Sequence, residues 1–126
     1  MSANPINEDR LVDTFLELVE INGPSRSERP VAEYLKKAFF RLGLEIEEDA
    51  SSGSIDGDCG NLLVRFPTDN PDGKGLIICA HLDTVLPTDQ LEVVEKDGIF
   101  YSAGDTILGA DNRAGVAAML ECARVL

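Results

Sequence analysis

The only histidine of the chain, His81, stands two residues before Asp83 and directly after an apolar run at residues 76–80. In extended backbone, side chains two residues apart project to the same face, with Cα atoms about 6.7 Å apart. A carboxylate at that distance can accept the proton of one imidazole nitrogen, which fixes the tautomer and leaves the other nitrogen free for a metal ion. The spacing is therefore compatible with a metal-binding histidine and an orienting carboxylate, but taken alone a histidine after a buried strand is more often a hydrogen-bonded structural residue.

A further acidic residue, Asp111, follows His81 by 30 positions and ends a Gly/Asp-rich loop that begins at Gly104. Because a carboxylate has two oxygens, it can bridge two metal ions about 3.5–4 Å apart, the separation found in two-metal hydrolases. Asp111 and Asn112 could also cap the helix that follows, and capping is compatible with metal binding. The loop thus offers a candidate bridging ligand.

The composition limits the classes of function that are open to the chain. Its 126 residues, of which 44% are hydrophobic, predict one domain with a buried core. Eleven basic and twenty-three acidic side chains give a net charge of -12, which argues against nucleic acid and anionic membranes as partners. The first seven residues have no basic stretch followed by an apolar core, so no secretory signal is expected. No apolar run approaches the roughly 20 residues of a membrane span.

The three cysteines are widely spaced and odd in number, which predicts free thiols in a reducing cytoplasm instead of a disulfide framework. Of these, Cys79 is expected in the core.

The hydrophobic pattern predicts helices and strands in alternation. A helix is expected at about residues 7–21, and a second after a capping box of Ser25 and Glu28, ending at Gly43. Later segments follow the same logic: strands at 44–48 and 61–66, an inner strand at 76–80, a hairpin of 91–95 with 99–102, and a helix over 113–126. The fold class expected is α/β, a mixed sheet flanked by helices, with His81 and Asp83 where a strand ends at its carboxyl edge.

Taken together, the two motifs resemble a known enzyme family. Residues 80–85 (Ala-His-Leu-Asp-Thr-Val) and 107–116 (Ile-Leu-Gly-Ala-Asp-Asn-Arg-Ala-Gly-Val) are similar to the first and second metal motifs of the peptidase T-like tripeptidases. These enzymes belong to the zinc-dependent exopeptidase family that includes aminoacylases and glutamate-releasing carboxypeptidases. The resemblance extends over nearly the whole chain.

The resemblance implies that His81 binds one zinc ion, that Asp111 bridges two, and that Asp83 is an active-site residue which orients His81. It also implies a cis peptide bond between Asp111 and Asn112. The implied activity is removal of residues from the N-terminus of short peptides by metal-activated water, with hydrolysis of N-acyl amino acids or carboxypeptidase action as the alternative.

The family's Glu-Glu pair, a further acidic ligand, a distant histidine and the lid or dimerisation domain have no counterpart in residues 1–126. Glu121 lies inside the expected last helix and does not match the pair. Residues 1–126 are therefore expected to form a partial catalytic domain that binds zinc weakly, if at all, and is inactive alone. The alternative from another class is a non-catalytic module that forms a homo-oligomer through uncovered sheet or helix surfaces.

Overall fold

The computed structural model describes residues 5–70, 72–86 and 88–126. The first four residues, part of the stretch in which no secretory signal is expected, lie outside the described residues, as do Pro71 and Pro87.

Two amphipathic helices open the chain, as the apolar spacing predicts. Helix α1 spans Glu8–Glu20, and the side chain of Asn7 caps it by accepting a hydrogen bond from the backbone N–H of Arg10. Helix α2 spans Arg29–Arg41, with a proline in its first turn. The expected capping box is wrong, because the Ser25 hydroxyl donates to Asp83 and Glu28 accepts from the backbone of Arg26.

Two antiparallel strand pairs follow. Strand β1 (Ile46–Glu48) pairs with β2 (Leu62–Val64), and the loop expected between them contains a short helix, α3 (Ser52–Ile55). Strand β3 (Val93–Lys96) pairs with β4 (Ile99–Ser102) in the predicted hairpin. Its two turn residues, Asp97 and Gly98, have φ angles of 54° and 76°. Positive φ at both positions is what a two-residue type I′ hairpin turn requires.

The apolar run at residues 76–80 does not form the predicted inner strand. Leu76 is 84% exposed and Ile77 82%, and Cys79 is exposed instead of buried in the core. A strand needs a neighbour to complete its hydrogen bonds, and no strand within the described residues lies alongside this run. The expected free state of the cysteines is confirmed.

Helix α4 (Ala110–Val125) packs against α1 and completes the core. The core consists of apolar side chains from three helices: Leu18, Val31, Leu35, Phe39, Val116, Ala117 and Leu120. Partly buried residues of β1 and β2 pack on the same cluster, so the predicted α/β class is confirmed. Among the described helices, none has both the length and the apolar character needed to cross a bilayer.

A buried carboxylate joins α1 to α4. The side chain of Glu121 is 1% exposed, and its two oxygens accept hydrogen bonds from the Arg10 guanidinium at 2.5 and 2.8 Å. The backbone N–H of Asn7 donates to it at 2.9 Å. These bonds hold the pKa of Glu121 at about 2, well below its ordinary value. Glu121 therefore has a structural role at the helix interface.

We expect Glu121→Gln to lower the free energy of unfolding of the 126-residue chain by about 1–3 kcal/mol at pH 7, because a charge-assisted buried hydrogen bond is lost. A carboxylate whose pKa is lowered by folding stabilises the fold above its unfolded pKa of about 4.3 and loses that effect as the pH falls towards 2. The variant should accordingly lose less stability than the wild type between pH 5 and about pH 2.

Urea unfolding followed by circular dichroism measures both effects. Glu20→Gln, an exposed change on the same helix as Arg10, should stay within about 0.5 kcal/mol of the wild type. Equal stability of Glu121→Gln and wild type at pH 7 would contradict this account.

Candidate metal centre

His81 lies at the end of the extended segment that precedes it, and both of its ring nitrogens face carboxylates. Its Nδ1 is 3.0 Å from Asp83 Oδ1 and also 3.0 Å from the Asp83 carbonyl oxygen. Its Nε2 is 2.9 Å from Asp111 Oδ1. The three residues singled out in the sequence are thus brought together, although His81 and Asp111 are 30 positions apart.

Asp83 is fixed from two sides. One carboxylate oxygen faces His81, and the other accepts a hydrogen bond from the Ser25 hydroxyl. The Ser25 bond and the His81 bond together lower the pKa of Asp83, so its anionic form is favoured. An anionic Asp83 is the form that accepts the Nδ1 proton of His81 and fixes the ring orientation.

Asp111 lies in a break at the beginning of α4. Gly109 precedes it with a φ of 74°, and the Asp111–Asn112 peptide bond is cis, which confirms the expectation from the sequence. The first regular turn is capped by Asn112, whose Oδ1 accepts a hydrogen bond from the backbone N–H of Gly115 at 3.1 Å. Since Asn112 supplies the cap, the Asp111 side chain, 93% exposed, is left to face His81.

The two carboxylates favour the protonated imidazole. Hydrogen bonding to Asp111, followed by that to Asp83, raises the pKa of His81. With both ring nitrogens facing carboxylate oxygens, the imidazolium can donate on both sides. A metal ion at Nε2 would take the place of that proton, because a histidine ligand binds through a nitrogen lone pair.

The donor atoms suit zinc, and they account for only part of a zinc site. An imidazole nitrogen and a carboxylate oxygen are ordinary zinc donors, and a catalytic zinc normally has three protein ligands and one open position. Among the described residues, no group of three or more His, Cys, Asp and Glu side chains is placed to hold a metal ion. His81 and Asp111 therefore fit a zinc site that needs at least one further protein ligand.

A shallow pocket of about 320 Å³ surrounds these side chains. Its polar wall is formed by His81, Asp83 and Asp111, and its apolar wall includes Val85 and Leu108. Apolar walls around a few convergent polar groups are typical of small-molecule sites.

The roles of two residues near the site, Ser25 and Arg113, were not predicted from the sequence. Ser25 was assigned to a helix cap, because its spacing to Glu28 fits that pattern equally well. Arg113 lies inside the second motif. Because arginine is seldom fully buried, the sequence gives no indication that this side chain is in the interior. Its guanidinium donates hydrogen bonds to the carbonyl oxygens of Leu82 and Ile21.

Solved structures of two peptidases share this fold. The fold of the chain is similar to that of a tripeptidase from Staphylococcus aureus, with a TM-score of 0.89 and 40% identity over 97% of this chain and 33% of that one. It is also similar to aminopeptidase PepT from Bacillus cereus, with a TM-score of 0.91 and 37% identity over 98% of this chain and 33% of that one.

In sequence, the chain is 37% identical over 121 residues to YqjE of Bacillus subtilis, which covers 96% of this chain and 32% of that protein. The chain thus spans about a third of the length of these proteins. The model of peptidase family M28 matches residues 61–126, which is more than half of the chain and includes both motifs. The chain therefore belongs to peptidase family M28.

Proposed function

We propose that this chain forms part of the catalytic domain of a two-zinc peptidase that removes residues from the N-terminus of short peptides. The observation that carries the proposal is the convergence of His81, Asp83 and Asp111 at one pocket, with the Nε2 of His81 2.9 Å from the Asp111 carboxylate. Membership of a peptidase family supports it.

In this proposal each of the three residues has a separate task. His81 would hold one zinc ion through Nε2, while Asp83 accepts the Nδ1 proton and fixes the orientation of the ring. The exposed carboxylate of Asp111 would be the ligand that the two ions share. When bound, zinc supplies Lewis-acid chemistry, polarising the scissile carbonyl and activating water.

The substrate class is supported by the similar structures, which are named as a tripeptidase and an aminopeptidase. Hydrolysis of N-acyl amino acids, or carboxypeptidase action, is the alternative. All three reactions can use water activated by the same metal-binding residues. The choice among them therefore depends on residues that contact the substrate. A cytoplasmic location is part of the proposal, because Cys59, Cys79 and Cys122 are all free thiols.

We expect His81→Ala and Asp111→Asn, made in the complete protein, to lower kcat/KM for tripeptide hydrolysis at least about 1000-fold. Metal catalysis supplies several kcal/mol of transition-state stabilisation, and each 1.36 kcal/mol corresponds to about a tenfold change in rate. Zinc content, measured by atomic emission on the same preparations, should fall in parallel.

Cys79→Ala is the matched control, because Cys79 is exposed, lies two residues before His81 and is itself a possible metal-binding residue. It should keep wild-type activity and zinc content. Wild-type activity in His81→Ala would rule out the proposed role of the histidine.

Three substrates separate the aminopeptidase from its alternatives: a tripeptide with a free N-terminus, the same tripeptide acetylated at that end, and an N-acetyl amino acid. The proposal expects only the free tripeptide to be cleaved, with release of its first residue. Faster cleavage of the N-acetyl amino acid, or release of the C-terminal residue, would favour the alternatives instead. Mass spectrometry of the products identifies the bond that is broken.

We further propose that residues 1–126 alone bind zinc weakly and do not cleave peptides, because the two suitable ligands are fewer than the three a catalytic zinc requires. Another part of the protein would supply the remaining ligands and the general base. Zinc titration of the isolated segment should give a dissociation constant at least about tenfold above that of the complete protein. Tripeptide hydrolysis by the segment, abolished by a chelator and by His81→Ala, would contradict this.

Exposed apolar side chains favour self-association of the isolated segment. Self-association is what the alternative, a non-catalytic module, would show. Apolar side chains on either side of the site are widely exposed, namely Leu76, Ile77, Ile78, Val85 and Leu86. Contiguous exposed apolar surface promotes association. Sedimentation of the segment separates a homo-oligomer from a monomer, and a strict monomer would remove the support for an assembly role.

A further inference from the structure

Arg113 is the largest fully buried side chain of the described residues, with 1% of its surface exposed. It follows Asp111 by two positions, in the first regular turn of α4. Burying a guanidinium is costly unless it is well paired, because the charge loses its hydration. Its burial at this place therefore needs a physical explanation.

The guanidinium joins two separate backbone segments. Its Nη1 donates a hydrogen bond to the carbonyl oxygen of Leu82, the residue between His81 and Asp83. Its Nη2 donates to the carbonyl oxygen of Ile21, at the end of α1, at 3.2 Å. One side chain thus connects the beginning of the Asp111 helix with the segment that carries the histidine.

Further contacts hold the histidine segment against the loop after α1. The backbone N–H of Thr84 donates to the carbonyl of Gly23 at 3.1 Å, and Pro24 and Thr84 form a parallel bridge. The Ser25 hydroxyl donates to Asp83 from the same loop. Arg113 is the member of this network that also belongs to α4.

Arg113 is poorly compensated for a residue that serves packing alone. Its Nε is buried without a hydrogen-bond partner, and the carboxylates of Asp83 and Glu28 interact with the guanidinium only at a distance, without a hydrogen bond. An apolar side chain of similar volume would fill the same space without these costs.

The neighbouring loop leaves room for the guanidinium. A Cβ at Gly23 would lie 2.9 Å from Arg113 Nη2 and 2.8 Å from Val31 Cγ2. A side chain at position 23 would therefore collide with both the guanidinium and Val31, so glycine is the residue that fits here.

We infer that Arg113 is a positioning residue, which fixes the Leu82 carbonyl and thereby directs the imidazole of His81 towards Asp111. The inference rests on the proposed metal site and adds the device that aligns its two halves. Residues that orient metal ligands typically change metal affinity by about 10–100-fold when they are replaced.

The test uses Arg113→Met in the complete protein, which keeps most of the volume and removes the donors. The zinc dissociation constant, from competition with a chelating dye, should rise about 10–100-fold, while Arg113→Lys should give a smaller rise. Arg124→Met is the matched control, because Arg124 lies in the same helix and binds Thr14 and Glu121, away from the site. The zinc dissociation constant of Arg124→Met should stay within about twofold of the wild-type value, because Arg124 contacts none of the site residues.

A folded Arg113→Met protein with the wild-type dissociation constant would overturn the inference. If that variant does not fold, Arg113→Lys decides the question, because it keeps the charge and replaces the planar guanidinium that reaches both carbonyls with a single ammonium. A folded Arg113→Lys protein should bind zinc at least about threefold more weakly, and unchanged binding there would overturn the inference equally.

A metal-free measurement separates this inference from the proposed function. In metal-free protein, hydrogen exchange at the amide of Thr84, which donates to the Gly23 carbonyl, should be at least about tenfold faster in Arg113→Met, with exchange in the core of α1 and α4 unchanged. A uniform increase over the whole protein would show general destabilisation and overturn the inference. If the wild type binds zinc but cleaves no peptide, the proposed function fails, while the affinity and exchange results still decide the role of Arg113.

Discussion

The packing of α4 against α1 is the constraint on which the candidate site depends. Leu18 of α1 and Leu120 of α4, both fully buried, lie in the core that joins the two helices, and Glu121 adds a buried ionic contact to Arg10. This packing places the beginning of α4 beside the end of α1. Asp111 lies at the beginning of α4, and the segment that carries His81 is attached near the end of α1. The packing of the two helices therefore brings the two motifs together.

Within this frame, a chain of polar contacts leads from the loop after α1 to the beginning of α4. Ser25 bonds to Asp83, Asp83 to the Nδ1 of His81, and the Nε2 of His81 faces Asp111. The directions of these contacts leave one imidazole nitrogen and one exposed carboxylate for a metal ion. This arrangement is consistent with membership of a peptidase family. In our proposal, another part of the protein supplies the remaining metal ligands.

Local patterns predicted several elements of the fold correctly. The helices α1 and α2, the β3–β4 hairpin and the α/β class follow from apolar spacing and turn residues, and the contact between His81 and Asp83 follows from their separation of two. The run at residues 76–80 was assigned wrongly, since an apolar pattern reports what a segment could bury and does not report whether a neighbouring strand is present. Ser25 and Arg113 could not be predicted, because their partners lie 58 and 31 positions away and no local rule links them.

Whether His81 and Asp111 bind the same zinc ion can be seen by anomalous diffraction at the zinc edge from crystals of the zinc-loaded complete protein. We expect a zinc peak within about 2.0–2.2 Å of both His81 Nε2 and an Asp111 carboxylate oxygen. We also expect that Nδ1 of His81 remains bonded to Asp83. A peak that contacts neither residue, with His81 still hydrogen-bonded to Asp111, would contradict the account.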